Sequence, residues 1–435
     1  MGVPQYKESS MKDYKETAYK LLKDWRGSNY IFGLDCLDKV GTLTASCGKK
    51  AMVVANHSSM PYVNQVIIPS LRAAGVEIAS DTVCPGARPN APLEDVYRIT
   101  DFAKKYKIDS IVAVGGGSTI DCCKAVATLY SLNTDTIDKY YGAGKVSEAL
   151  SEAQVQMLPI IAVQTSASSG AHLTKYANVT DMSAAQKKLI VDPAVVPARA
   201  LFDYKVTTTM PKDVTIDGAL DAISHCFEVF CGASDQTFDK TKEIAECALH
   251  LVLSNTKLAI DQPDDLSARE ALGLATDLGG YAIMVGGTSG GHLTSFSLVD
   301  VTGHGTACGI MNPYYAIFYS PAIQKQLKIV AQILADHGLL PTSSTTMQGH
   351  ALAESVAAAM LAFNKSIGAP TKLTDIPAFN PQIHISKALT AAKDPTLKTK
   401  LQNMPISLSP ADVDTYMSPI LHAAAFGDFS LIKQM

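Results

Sequence analysis

The stretch Ser110-Ile-Val-Ala-Val-Gly-Gly-Gly-Ser-Thr-Ile-Asp121 decides the fold. Its first half, Ser110–Val114, is a short run rich in β-branched residues, which predicts a strand buried on both faces. The run ends directly in Gly115-Gly116-Gly117-Ser118, and a helix is predicted from there through about Tyr130. Three glycines let the backbone approach a ligand, and the free N–H groups and dipole at a helix start attract phosphate. The spacing is not G-x-G-x-x-G, so that dinucleotide fingerprint carries no weight here. A glycine-rich turn of this kind also occurs with no ligand. Its place at the carboxyl end of a central strand, where open α/β sheets bind their ligands, favours phosphate.

Working outward, Lys50–Ala55, Val76–Ser80 and Pro159–Val163 read as further strands, with helices near 61–74 and 93–106. Strands alternating with helices predict a doubly wound, mostly parallel sheet covered on both faces. After about Tyr204 the strand signals stop. Segments near 213–232, 239–260, 266–287, 308–318, 322–337, 346–366 and 409–425 read as helices. The expected fold is an α/β N-terminal domain, residues 1–208, followed by an all-α C-terminal domain, residues 209–435. The first 28 or so residues are expected to pack as an extension with one short helix.

A chain of 435 residues is natural for two domains. Its 37 Lys and Arg nearly balance 41 Asp and Glu, which leaves no electrostatic case for nucleic acid or an anionic membrane as partner. The nine cysteines are scattered, without a C-x-x-C pair, and read as reduced thiols in a cytoplasmic protein. The polar N-terminus has no secretory h-region, and no apolar run approaches the length needed to span a bilayer.

Ile216–Phe230, IDGALDAISHCFEVF, suits a buried helix and sets Asp221 and His225 four residues apart, neighbours on one face. Buried among apolar residues, such a pair needs a partner. By itself the pattern equally describes a hydrogen-bonded core pair. Asp217 lies about 12 Å along the axis from His225, too far to share a metal, so a capping role suits it better than a ligand's. His292 and His304 are each flanked by glycine, which leaves room for a metal or ligand to approach. With Asp221 and His225 they make a set of one carboxylate and three imidazoles, suited to Fe(II), Zn(II) or a similar ion. His250, His337, His350, His384 and His422 read as satisfied or exposed side chains. The loop Gln164–Gly170, rich in Ser, follows the next strand and offers hydroxyls and free backbone to the same crevice as the glycine turn, although a Ser-rich loop by itself is usually only a loop.

GGGSTID at 115–121, TSASSGA at 165–171, DAISHCFE at 221–228, GGH at 290–292 and GHG at 303–305 together resemble the iron-containing (group III) alcohol dehydrogenases. The likeness covers about residues 30–320, and the wider superfamily includes glycerol dehydrogenases and dehydroquinate synthases. It implies a dehydroquinate synthase-like fold. It also implies an oxidoreductase acting on a small alcohol or aldehyde, with NAD or NADP and a divalent ion, Fe(II) ahead of Zn(II). Gly115, Gly116, Gly117 and Ser118 would then hold the cofactor pyrophosphate, with Asp121 fixing the turn. Thr165 and Ser166 match residues beside the adenine and nicotinamide, with Ser169 in the same loop. Lys188 matches a cofactor-contacting lysine, and Asn90 a loop near the adenosine. Asp221, His225, His292 and His304 match the metal ligands. A homo-oligomer, taken as a dimer, is expected.

Four departures from the family pattern bear on the pocket. Ala171 and His172 replace a Ser-Glu pair, which sets a histidine near the cofactor. Asn56 stands where an Asp often accepts the ribose hydroxyl; an amide does not repel a 2′-phosphate, so NADP stays open beside NAD. Phe296 stands where many members carry a proton-transferring His, and the His292–His304 spacing is slightly short. Phe296 and His172 are therefore expected to shape the pocket, with the proton leaving through water, the cofactor ribose or His172. The metal would act as a Lewis acid while hydride passes to the nicotinamide. The rivals are a polyol or phosphonate-type dehydrogenase, a dehydroquinate synthase-like lyase, and a non-catalytic scaffold.

Overall fold

The computed structural model describes residues 8–183 and 186–435. Internal contacts divide the chain into an α/β unit, Lys23–Thr209, and a helical unit that joins the residues through Leu22 to Met210–Met435.

The described strands of the α/β unit are β1 (Tyr30–Gly33), β2 (Lys50–Ala55), β3 (Glu77–Ile78), β4 (Cys84–Pro85), β5 (Ser110–Gly115), β6 (Gly142–Ala143), β7 (Ile160–Gln164), β8 (Tyr176–Asp181), β9 (Gln186–Val191) and β10 (Arg199–Asp203). Seven form one sheet in the order β1-β10-β7-β5-β2-β3, with β4 also paired to β2. All its pairings are parallel. β5 is buried along its whole length, and wholly buried side chains such as Ile111 and Val114 each contribute roughly 1.5–3 kcal/mol. From β2 the chain runs outward to β3 and β4, then returns to the other side of β2 as β5. The order thus reverses between β2 and β5, the point where sheets of this type open a crevice at their carboxyl ends. Asn56 follows β2, and the glycine turn follows β5.

The sequence reading found four of these strands. β1 and β10 were not foreseen: both are short, and β1 takes its place only by pairing with β10, 170 positions along the chain. The antiparallel pair β8–β9 alternates buried and half-buried residues, a weaker signal than the continuous apolar runs of the central strands.

In the helical unit the long helices Lys212–Cys231, Phe238–Asp261, Leu266–Val285, His304–Phe318, Gln324–Asp336 and Gly349–Ser366 match their expected segments closely. Gly290–Ser295, Pro381–Ala392 and Lys398–Gln402 are additional helices. Two of them are under seven residues, too short for periodicity to show. One expectation is corrected. The start of the chain does not belong with the α/β unit, and its helix is not short: Glu8–Arg26 runs 19 residues, and up to Leu22 it packs on the helical unit. Lys15 Nζ pairs with Glu270 at 2.7 Å, Tyr19 Oη donates to the other Glu270 oxygen at 2.7 Å, and the Cys247 thiol donates to Tyr14 O at 3.0 Å. Ala18, Leu21 and Leu22 are buried there, so an apolar stripe, not position in the chain, decides where this helix goes. Among the described residues no helix is long and apolar enough to cross a membrane.

Candidate metal centre and nucleotide turn

Asp221 and His225 leave the same face of the Lys212–Cys231 helix, His292 lies within the short Gly290–Ser295 helix, and His304 opens the His304–Phe318 helix. The Nε2 atoms of His225, His292 and His304 lie 3.8, 3.6 and 3.9 Å from Asp221 Oδ1. These separations exceed a hydrogen bond and suit donors arranged about one ion. The rings pack on one another: His225 and His292 stack at 4.5 Å between centroids, and His304 meets His292 edge-on at 5.0 Å. Asp221 Oδ1, His292 Nε2 and His225 Nδ1 are buried without a hydrogen-bond partner among the described residues. Buried polar atoms are ordinarily satisfied. The first two point into the space the four side chains share, and a divalent cation fits that donor set.

A second layer orients the ligands. Glu228 Oε1 accepts from His292 Nδ1 at 2.7 Å, which leaves Nε2 as the donor atom toward Asp221, and its other oxygen accepts from Ser289 N at 2.6 Å. Ser295 Oγ holds His304 Nδ1 at 2.9 Å. Asp217 accepts from Thr306 N and Oγ1 at 2.8 and 2.9 Å, so it caps the His304–Phe318 helix rather than its own. Burial pushes the Asp221 carboxyl up, but the three imidazoles outweigh it and hold the group below its usual value. Burial holds His225 down to about 4. Burial also opposes charge on His292, yet Cys308 and Glu228 prevail and raise it well above the ordinary histidine value.

The glycines beside the two histidines serve the protein's own packing, a correction to the room for a ligand expected from sequence. A Cβ on Gly290 would lie 2.3 Å from the Tyr315 ring, and one on Gly291 2.4 Å from Asn312 Oδ1 and 2.6 Å from Glu228 Oε1. On Gly303 it would meet Asp217 Oδ1 at 2.2 Å, and on Gly305 the Asp217 carbonyl at 1.9 Å. Glycine lets both segments press close enough to aim their imidazoles at Asp221.

Phe296 is buried, its ring 5.9 Å from that of His304. Lys400 Nζ, from the Lys398–Gln402 helix, stands 5.4 Å from the Phe296 ring centre and donates to Thr288 Oγ1. Burial pulls its pKa down to about 8, against the pull of Glu228. Sequence reasoning missed three residues here. Glu228 lies seven residues after Asp221, hence on its face, and Cys308 four after His304; helical spacing could have found both. Lys400, far along the chain, had no such signal.

In the α/β unit, the Gly117–Ser131 helix starts at Gly116 with no side-chain cap, so its first N–H groups stay available to an anion. A Cβ on Gly116 would lie 2.7 Å from Ser166 Oγ, and one on Gly117 2.4 Å from Ser169 Oγ. The turn and the serine-rich loop are thus packed together, and Thr165 N donates to Gly115 O at 3.1 Å. Ser169 Oγ is buried without a partner among the described residues. Asn90 N donates to Ser118 Oγ at 3.0 Å, and Asn56 Nδ2 to Thr119 Oγ1 at 3.2 Å. Asp121 is turned away from the helix start: it accepts from Asn178 N and Nδ2 at 3.0 and 3.1 Å and pairs with Lys124 at 3.2 Å. Lys188, on β9, pairs with Asp181 at 3.5 Å and lies over Tyr141. His172 is fully buried, its Nε2 3.1 Å from Tyr30 Oη and its ring edge-on to Phe202. Asn56, Asn90, Gly115–Ser118, Thr165, Ser166 and Ser169 are therefore brought together, while Asp121, Lys188 and His172 are engaged by other partners.

A carboxylate and three converging imidazoles in one unit, and an uncapped helix start at a sheet's switch point in the other, are the parts of a metal-dependent, nucleotide-linked enzyme. Residues 27–204 match the family model described as iron-containing alcohol dehydrogenase, and residues 215–413 match that of the Fe-containing alcohol dehydrogenase family, C-terminal. The chain belongs to the iron-containing alcohol dehydrogenase family, oxidoreductases acting on CH–OH groups. It is 26% identical to the NAD-dependent methanol dehydrogenase of Bacillus methanolicus over 78% of this chain and 86% of that protein. It is 25% identical to the 1,3-propanediol dehydrogenase of Klebsiella pneumoniae over 80% and 86%. The solved NADH-dependent butanol dehydrogenase A of Thermotoga maritima is similar in fold, with a TM-score of 0.76, 25% identity and coverage of 92% of this chain and 97% of that one.

Proposed function

We propose that this enzyme interconverts a small alcohol and its aldehyde with NAD or NADP, using one divalent ion, Fe(II) ahead of Zn(II), held by Asp221, His225, His292 and His304. The observation that carries the reading is the convergence of three imidazole Nε2 atoms on a buried, unpartnered Asp221 oxygen. When bound, the ion supplies Lewis acidity toward the substrate oxygen, and the nicotinamide takes or gives the hydride. The chain's own residues set the conditions. Glu228 and Ser295 keep His292 and His304 in the orientation that presents Nε2. Phe296, packed on His304, keeps water from that side, and the Lys400 ammonium beside it favours negative charge developing nearby. Gly115–Ser118 offer backbone N–H groups to the cofactor pyrophosphate, with Asn90, Thr165, Ser166 and Ser169 around them and Asn56 at the end of the neighbouring strand. Asp121 supports the turn through Asn178. Lys188 reaches the cofactor only by leaving Asp181. His172, walled in by Tyr30 and Phe202, anchors the serine-rich loop. The proposal places the enzyme in the cytoplasm, in keeping with nine free cysteines, and takes it as a homodimer, which light scattering checks.

The test is a panel of small alcohols and aldehydes with NAD(H) and NADP(H), run on protein stripped by chelator and on protein reloaded with Fe(II) or Zn(II). Turnover at the reduced-nicotinamide band should vanish on stripping and return with metal. Undiminished turnover in the stripped protein would defeat the reading. Product formed without net nicotinamide change would point instead to a lyase.

A further inference from the structure

Cys308 borders His292 but is not among the four ligands assigned above. It sits four residues after His304 on the His304–Phe318 helix, so the two side chains leave one face, and it is fully buried. The donor atoms of Asp221, His292, His304 and Cys308 all lie within 4.8 Å of one another. His225, whose Nε2 is 3.8 Å from Asp221 Oδ1, is not in that mutually close set. Two atoms of the set, Asp221 Oδ1 and His292 Nε2, are buried with no hydrogen-bond partner among the described residues. The space they face is therefore bordered by sulfur as well as by oxygen and nitrogen.

We propose that Cys308 Sγ is a direct donor to the ion held by Asp221, His292 and His304, so that the thiolate and His225 are alternative fourth protein ligands. The proposal rests on the metal-dependent reading above. When sulfur takes the ion, the thiol proton leaves to solvent and a sulfur lone pair forms the bond; nothing is oxidised or reduced. One carboxylate, two imidazoles and a thiolate form a set that suits tetrahedral Zn(II) or Co(II), whereas three imidazoles and a carboxylate lack the soft donor. The site would then hold two kinds of ion in two ways, thiophilic ions through Cys308 and harder ones through His225.

The test uses full-length protein stripped of metal and given one equivalent of Co(II). The wild type should show a near-ultraviolet sulfur-to-cobalt charge-transfer band beside the visible cobalt bands. Cys308→Ser and Cys308→Ala should each lose the near-ultraviolet band and keep the visible ones. Zn(II) affinity should fall roughly 10–100-fold, while Mn(II), which gains little from sulfur, is held nearly as before. Two variants are made because the serine introduces a buried hydroxyl and the alanine does not; thermal melts identify which is read. A charge-transfer band that survives in the folded variant, or that is missing from cobalt-loaded wild type, overturns the proposal and leaves the metal-dependent reading standing. Failure of the wild type to bind cobalt at all would sink both.

Discussion

The two regions proposed to hold ligands are built in opposite ways. Around Asp221 the chemistry lies in side chains, and each is held by another: His292 by Glu228, His304 by Ser295. At Gly115–Gly117 the proposed binding group is the backbone, and what matters is the lack of side chains, because a Cβ at Gly116 or Gly117 would strike Ser166 or Ser169. The first region is dismantled by deletion and the second by addition. They also lie in different units, so damage to one should leave the other working.

The largest effect should come from deletion in the cage. His292→Ala removes a donor, and with it transition-state stabilisation worth several kcal/mol, so kcat should fall by about 10³-fold or more. Metal content by elemental analysis should fall with it, while nucleotide affinity by fluorescence titration stays put; a matching loss of nucleotide affinity would show that the two regions are not separable. An intermediate effect is expected one layer out. Glu228→Gln keeps the shape but removes the charge behind His292, and metal affinity should weaken roughly 10–100-fold. Unchanged affinity in a metal competition assay would mean that Glu228 serves only to pack. The smallest effect belongs to the turn: Gly117→Ala adds one methyl 2.4 Å from Ser169 Oγ. Overpacking at the low end, about 1 kcal/mol, should raise the nucleotide Kd about fivefold with metal content unaltered. A tighter Kd would show that the serine loop yields freely and that the turn needs no bare backbone at that position.

The same contrast governs what could be read from the chain alone. The strand–turn–helix at 110–131 was legible because a buried parallel strand writes itself as an unbroken apolar run. Asp221 and His225 were legible because helical spacing brings them to one face. The edge strand β1 was not, since its place is set by pairing with β10, 170 positions along the chain; β10, short and lying between β1 and β7, was missed as well. Gly290, Gly291, Gly303 and Gly305 looked like openings for a ligand; only three-dimensional contact shows that Tyr315, Asn312, Glu228 and Asp217 fill that room. Cys308 shares a helical face with His304, a spacing the sequence offers, yet a cysteine in an apolar helix reads as core, and its proposed donor role depends on Asp221 and His292, which reach it from other helices.

The seating of the Glu8–Arg26 helix carries a consequence for how the protein is made. Lys15 and its partner Glu270 are 255 positions apart in the chain. At ribosomal rates of about 5–20 residues per second, Glu270 is synthesised about 13–50 s after Lys15. During that interval Ala18, Leu21 and Leu22, which end buried, have no surface to cover them, while the whole of the α/β unit is synthesised in between. A helix translated ahead of the α/β unit thus finds its partners only after that unit has been made, and the helical unit cannot be completed from its C-terminal segment alone.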